Sequence, residues 1–212
     1  MDVPPSELTI RDFLQRLSSD APAPGGGSAS AMAGAMAAAL VHMVVSLTKD
    51  RPAAAGHEDT LREVGLGAAG FQSELISLAD TDAAAYASVV AARRLPRESE
   101  RDRENRRGQI DAAIREATRA PLHIAERAAR TLELAERLAP IGNRNAISDV
   151  GVAGLLAAAA IRGAALNVRI NLPFLPDNEP LRHEAGAAVE RLLDGLDGRE
   201  ALLRAAVAER LE

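Results

Sequence analysis

The sequence predicts an all-α protein built from long, alanine-rich helices, and three observations carry that prediction. Apolar residues recur at spacings of three and four through most of the chain. Aromatic residues make up only 2% against 47% hydrophobic content, which leaves alanine, leucine, valine and isoleucine to build the core. No stretch alternates in the manner of a half-buried strand except Asn167 to Leu172, and there Asn167 and Asn171 share a helix face with Gly163. Alanine faces let helices approach closely. The 212 residues suffice for one sizeable core, so residues 1–212 are read as a single domain.

Taken in order, a first helix is predicted over Thr9 to Ser18, capped by Thr9, with Ile10, Phe13, Leu14 and Leu17 on one face. Pro22 and Pro24 end it. A second runs from Ser28 to about Thr48, with Met32, Met36 or Ala35, Ala39, Met43 and Leu47 along one side. Lys49 to His57, marked by Arg51-Pro52 and Gly56, is a connection. From Glu58 to about Arg93, Leu61, Val64, Ala68, Phe71, Leu75, Leu78, Ala85 and Val89 form a coiled-coil-like seam. The seam requires an apolar residue at position 82 and has Asp82 instead. Leu95-Pro96 breaks the chain before a long helix over Glu98 to Leu138, which Pro121 should kink or split. After an asparagine-rich turn, Val152, Leu155, Leu156, Ala159, Gly163, Leu166 and Ile170 form a stripe predicted to face inward, stopped by Pro173 and Pro176. Glu179 to Leu196 and Arg199 to Leu211 close the chain as two amphipathic helices.

Composition narrows the function. The net charge is −5, and the densest basic stretch, Arg93 to Arg107, interleaves arginine with Glu98, Glu100, Asp102 and Glu104, so it reads as a solvated face and not a nucleic-acid surface. Cysteine is absent, which excludes disulfides and thiolate sites and fits a reducing, cytoplasmic setting. The N-terminal residues, with Asp2, Pro4-Pro5 and Glu7, do not read as a signal peptide. Ala29 to Leu47 is long enough to span a bilayer, but it consists largely of Ala, Gly and Ser and contains His42; the run from Val150 to Val168 contains Arg162. Both are therefore read as buried helices of a soluble protein. Four scattered histidines without a His-x-x-x-His pair predict no zinc.

Two polar turns stand out. Gly25-Gly26-Gly27-Ser28 opens the second helix, where bare N–H groups form an anion cradle; alternatively it is a plain loop with Ser28 as cap. No strand precedes it and no Gly-Lys-Ser/Thr follows, so it is not a nucleotide P-loop. Gly142-Asn143-Arg144-Asn145-Ala146-Ile147-Ser148-Asp149 opens another helix, where Asp149 either complements the helix N-terminus or works in a site, with Ser148 or Asn145 capping. Asp82 on an apolar seam is either paired structurally or functional. Asn167 and Asn171 either orient a ligand or satisfy backbone groups at a helix end. Lys49, the sole lysine, reads first as a helix C-terminal charge.

Five of these strings occur in an order that resembles one family: Pro24 to Ser28 leading into Ala39 to Val44; Ala79 to Ala83 with Tyr86 and Leu95-Pro96; Ala120-Pro121-Leu122; Gly142 to Ala153; and Asn167 to Leu172. The chain resembles the formimidoyltetrahydrofolate cyclodeaminase and methenyltetrahydrofolate cyclohydrolase family over most of its length. The resemblance implies an up-and-down helical bundle working as a homodimer or larger assembly, a tetrahydrofolate substrate and no metal or other cofactor. No formimidoyl-transferase segment precedes it in this sequence, so a fused transfer step is not expected. Asp50-Arg51-Pro52 after Lys49 departs from the lysine-richer pattern of the family. Both family reactions pass through a tetrahedral carbon between two nitrogens, which calls for a carboxylate and for neutral orienting groups. The resemblance implies Asp82 as general acid/base, Asp149 as orienting or cation-stabilising carboxylate, and Gly25, Gly26, Gly27, Ser28, Lys49, Asn143, Asn145, Ser148, Asn167 and Asn171 as substrate-binding. Cyclodeamination with ammonia release is the first expectation and cyclohydrolysis the second. A non-catalytic folate-binding helical dimer is the alternative of a different class.

Overall fold

The computed structural model describes residues 3–211. Among the described residues seven α-helices form in chain order: α1 (Ile10–Leu17), α2 (Gly26–Thr48), α3 (Glu58–Arg93), α4 (Glu100–Leu138), α5 (Ile147–Asn171), α6 (Pro180–Leu193) and α7 (Leu196–Leu211). No strand occurs among the described residues. Starts are set by local chemistry. The Thr9 side chain accepts the Asp12 N–H at 3.1 Å. Ser99 and Asp102 close a capping box, so α4 begins at Glu100, two residues later than the periodicity alone indicates. The α6–α7 break falls at Gly195, whose φ of +67° ends α6 just after Leu193 and brings the start of α7 forward from the predicted Arg199 to Leu196.

Helices α2 to α5 make a four-helix bundle in which each packs antiparallel to its neighbours. Val45 lies by Gly65 and Gly34 by Leu75 between α2 and α3. Glu74 pairs with Arg127 and Glu63 with Arg137 between α3 and α4. Gly34 also lies by Ala160, which closes α5 back onto α2. The order is up-down-up-down. Small residues set the spacing: Ala31, Ala37, Ala38, Ala157, Ala158 and Ala160 have no exposed surface. Helix α7 lies on α5, and α6 on α4 and α5. Before α1, Ser6 donates from its N–H and hydroxyl to the Asp80 carboxylate at 2.8 and 2.6 Å, tying the leading segment to α3.

The α3 seam is inward as predicted at Leu61, Val64, Ala68, Leu75, Ala85 and Val89. Two other stripes turn largely outward, although Ala35, the predicted alternative to Met36, is buried. On α2 the buried line runs through Ala31, Ala35, Ala38, Val41 and Val45, while Met36, Met43 and Leu47 face out; on α5 Val152, Leu155, Leu166 and Ile170 face out. On α1 only Phe13 is buried, whereas Ile10 and Leu14 are exposed. The error has one cause. In a core this rich in alanine, the smallest residues occupy the tight interfaces, so the largest apolar residues do not mark the buried face. Pro121 also does not split α4, which runs unbroken from Glu100 to Leu138.

Candidate active site at the N-terminal end of α2

Helix α2 begins with two glycines because its first turn packs tightly between two helices, Gly26 against Asn167 of α5 and Gly27 against Asp82 of α3. Gly25 is the N-cap residue, with no side-chain cap bond, and Ser28 lies inside the first turn, so it is not the cap. A Cβ on Gly27 would collide with the Asp82 carboxylate. That close approach puts Asp82 at the positive end of α2, at the level of Ser28. The buried Ser28 hydroxyl lies 3.1 Å from Asp82 Oδ2 and 3.1 Å from the Ala79 carbonyl. It has one proton to give. With Asp82 ionised that proton goes to the carboxylate; with Asp82 protonated the acid donates to Ser28, which then donates to Ala79. Either protonation state is therefore accommodated without moving a heavy atom.

Burial pushes the Asp82 pKa above the usual carboxylate range, and the hydrogen bonds from Ser28 oppose the shift without cancelling it. A carboxyl raised above its ordinary range holds a proton more readily than an exposed one and is suited to both taking and returning it. On the other side, Asn167 of α5 lies against Gly26, where an added Cβ would sit 3.3 Å from Asn167 Nδ2. Ser30 donates to the Gly26 carbonyl at 2.8 Å and fills the space left by Gly163. Sequence reasoning passed over Ser30 and took Gly163 only as sharing a helix face with Asn167; the signal was a serine two residues beyond Ser28 in an otherwise apolar helix. Asn167 Nδ2 donates to the Gly163 carbonyl at 2.8 Å, and Asn171 Nδ2 to the carbonyls of Ala117 and Asn167 at 2.7 and 3.0 Å.

The second polar turn lies at the other end of α2. Asn143 N–H donates to Thr48 Oγ1 at 2.9 Å, its Nδ2 donates to the Leu47 carbonyl at 3.1 Å, and its Oδ1 accepts the Asn145 N–H at 3.1 Å. Asn143 thus caps the short 3-10 turn Arg144–Ala146, and neither Ser148 nor Asn145 caps α5, whose N-cap residue is Ala146. Lys49 is the C-cap residue of α2 at this end, exposed, as are Asn145 and Ser148; Asp149 is half-buried in the first turn of α5. Arg210 clamps the turn from outside, donating to the Pro140 and Gly142 carbonyls at 2.7 and 2.6 Å. The structure therefore groups Gly25, Gly26, Gly27, Ser28, Asp82, Asn167 and Asn171 at one end and Lys49, Asn143, Asn145, Ser148 and Asp149 at the other. At 1.5 Å per residue the length of α2 separates them by roughly 30 Å within one chain. Among the described residues no cluster of three or more His, Asp or Glu side chains is arranged to hold a metal ion.

Comparisons with known proteins place the chain in a family. The formiminotransferase-cyclodeaminase family pattern matches residues 9–189. A methenyltetrahydrofolate cyclohydrolase of Methylorubrum extorquens is 39% identical over 196 residues, which cover 88% of this chain and 94% of that protein. A formimidoyltransferase-cyclodeaminase of Rattus norvegicus is 30% identical over 187 residues, 87% of this chain and 35% of the relative, so the chain spans about a third of that protein. Among solved structures, a formiminotetrahydrofolate cyclodeaminase of Thermotoga maritima superposes with a TM-score of 0.85 at 25% identity, over 97% of this chain and 98% of that one. A family match across most of the chain, a relative of nearly the same extent and a shared bundle together establish that the chain belongs to the formiminotransferase-cyclodeaminase family of folate one-carbon enzymes.

Proposed function

We propose that this protein hydrolyses the methenyl bridge of a tetrahydrofolate to a formyl group, with Asp82 as general base and then general acid. The observation that carries the reading is Asp82 itself: a carboxyl of raised pKa, half-buried on an apolar seam, held by Ser28 at a helix N-terminus. Water attacks the cationic methenyl carbon while Asp82 takes a proton from it, forming the C–O bond and a neutral tetrahedral carbon. Asp82 returns the proton to the departing nitrogen as the C–N bond breaks, and the remaining hydroxyl proton is released. Asn167 and the N–H groups of Gly26 and Gly27 orient the pterin, and no metal or organic cofactor is invoked. Hydrolysis is favoured by the match over 94% of the Methylorubrum cyclohydrolase. Cyclodeamination, ranked first from the sequence, is kept as the second reading by the likeness to the Thermotoga cyclodeaminase over both whole chains. In it the same carboxyl protonates the departing ammonia.

In this reading the protein works in the cytoplasm as a homodimer whose two copies pack through the outer face of α2 and α5. Support comes from Met36, Met43 and Leu47 on α2 and Val152, Leu155, Leu166 and Ile170 on α5, all more than a third exposed on adjacent helices. A two-fold axis across the middle of that face brings the Asp82 end of one chain to the Asp149 end of its partner. The two polar clusters, separate within a chain, then compose one site, with Asp149 facing the cation and Lys49 beside it.

The test follows ultraviolet absorbance after mixing the protein with methenyltetrahydrofolate and, separately, with formimidoyltetrahydrofolate. Faster loss of the methenyl band than in buffer is the expected result. Appearance of that band with ammonia release assigns the second reading, and no acceleration with either compound overturns both.

A further inference from the structure

Pro121 sits in the middle of α4, buried, and the helix continues through it. Proline has no N–H, so the carbonyl of Ala117, four residues earlier, lacks its usual helical donor. Asn171, the last residue of α5, supplies one from across the interface: its Nδ2 donates to Ala117 O at 2.7 Å. The same Nδ2 donates to Asn167 O at 3.0 Å, so both protons of the amide are used. One turn back, Asn167 donates to Gly163 O and lies against Gly26. The last turn of a helix has carbonyls without intrahelical partners and frays unless something holds it. Here the turn that carries Asn167 is held by a bond that exists because a proline left its acceptor free.

We propose that Pro121 and Asn171 are a matched pair: the proline opens an acceptor inside α4, and Asn171 uses it to pin the end of α5, fixing the register of Asn167 against the glycine turn beside Asp82. Asn171 is a positioning residue, acting through Asn167. The part of this inference that concerns turnover rests on the function proposed above; the part that concerns the pairing does not.

Four proteins test it: wild type, N171A, P121A and N171A/P121A, compared by urea unfolding, by hydrogen exchange over residues 163–171 and by turnover of methenyltetrahydrofolate. N171A leaves the buried Ala117 carbonyl without its donor and lowers the unfolding equilibrium constant's margin in favour of the fold roughly tenfold or more. In the P121A background the backbone at position 121 has an N–H again and donates it to that carbonyl, so the same N171A change costs no more than about threefold. The tether is still missing in the double variant. Its amides over 163–171 therefore exchange faster than in wild type, and kcat stays about tenfold down while stability has recovered. Equal destabilisation by N171A in both backgrounds overturns the pairing. A double variant with wild-type exchange and wild-type kcat overturns the positioning role, because Asn171 would then only fill a hydrogen bond. N171L, which keeps the size and removes both donors without adding a charge, replaces N171A in each comparison if that variant does not fold. A wild type inactive on both folates counts against the proposed reaction alone; urea unfolding still decides the pairing and hydrogen exchange the tether.

Discussion

Asp82 is held in conflict at the residue scale: burial disfavours its charge while Ser28 and the end of α2 favour it. The balance lies toward burial, so its folded pKa is above the unfolded value, and this fixes the sign of its pH linkage. Between the ordinary carboxylate value and the raised one, the folded protein binds more protons than the unfolded chain, so the contribution of Asp82 to stability falls as pH rises through that window. D82N removes the charge and keeps the acceptor for Ser28. It is expected to be at least as stable as wild type at neutral pH, with a flatter pH dependence of stability just above the ordinary carboxylate range, measured by urea unfolding. Gly27 is the matching constraint. G27A puts a methyl group into the Asp82 carboxylate, and the expected result is loss of turnover together with a destabilisation of about 1–3 kcal/mol from overpacking, measured by the same unfolding curves. Both residues were legible in the sequence, one as a carboxylate on an apolar seam and the other as part of a glycine run. Their contact was not, because the two lie far apart along the chain, and nothing local to Gly27 announces the partner that excludes a side chain.

At the element scale, the proposed site lies at helix ends and caps hold the ends. The Ser99–Asp102 box begins α4, and S99A is expected to cost about 1 kcal/mol in thermal or urea unfolding with no effect on turnover. Arg210 binds the carbonyls of Pro140 and Gly142 and so fixes the turn that presents Asn143 and Asp149. R210A is expected to destabilise by roughly 1–3 kcal/mol and, unlike S99A, to weaken substrate binding, which a rise in KM reports. Helix existence was readable everywhere from the spacing of apolar residues, and α3 was readable to both its ends, Glu58 and Arg93. Which face each helix buries was readable only where large residues lie in the core. On α3 they do. On α2 and α5 alanine and glycine pack the interior, and the stripes drawn through Met43 and Leu155 pointed the wrong way.

For the whole molecule, that reversal is informative. A line of methionine, leucine, valine and isoleucine on the outside of two adjacent helices is more apolar surface than a soluble bundle ordinarily leaves bare, and in the dimer proposed above it is covered. M43E and L155E each put a charge into that contact. Both are expected to sediment as monomers and to lose turnover while keeping their helical content by circular dichroism. Composite sites add a stronger expectation. D82N and D149N are each expected to be inactive, and isolated mixed dimers of the two to recover about half of wild-type activity, since one of two symmetric sites is then intact. The sequence showed two polar turns, but not that the roughly 30 Å length of α2 would put them at opposite ends of the bundle. That follows from the antiparallel pairing of α2 with α5, a property of the assembled fold.

The most direct measurement is the rate at which the methenyl absorbance of methenyltetrahydrofolate decays with wild type and with D82N, side by side across pH. The account predicts rapid decay with wild type, a pH dependence set by a carboxyl titrating above its ordinary range, and decay at the buffer rate with D82N. A D82N protein that matches wild type would contradict it.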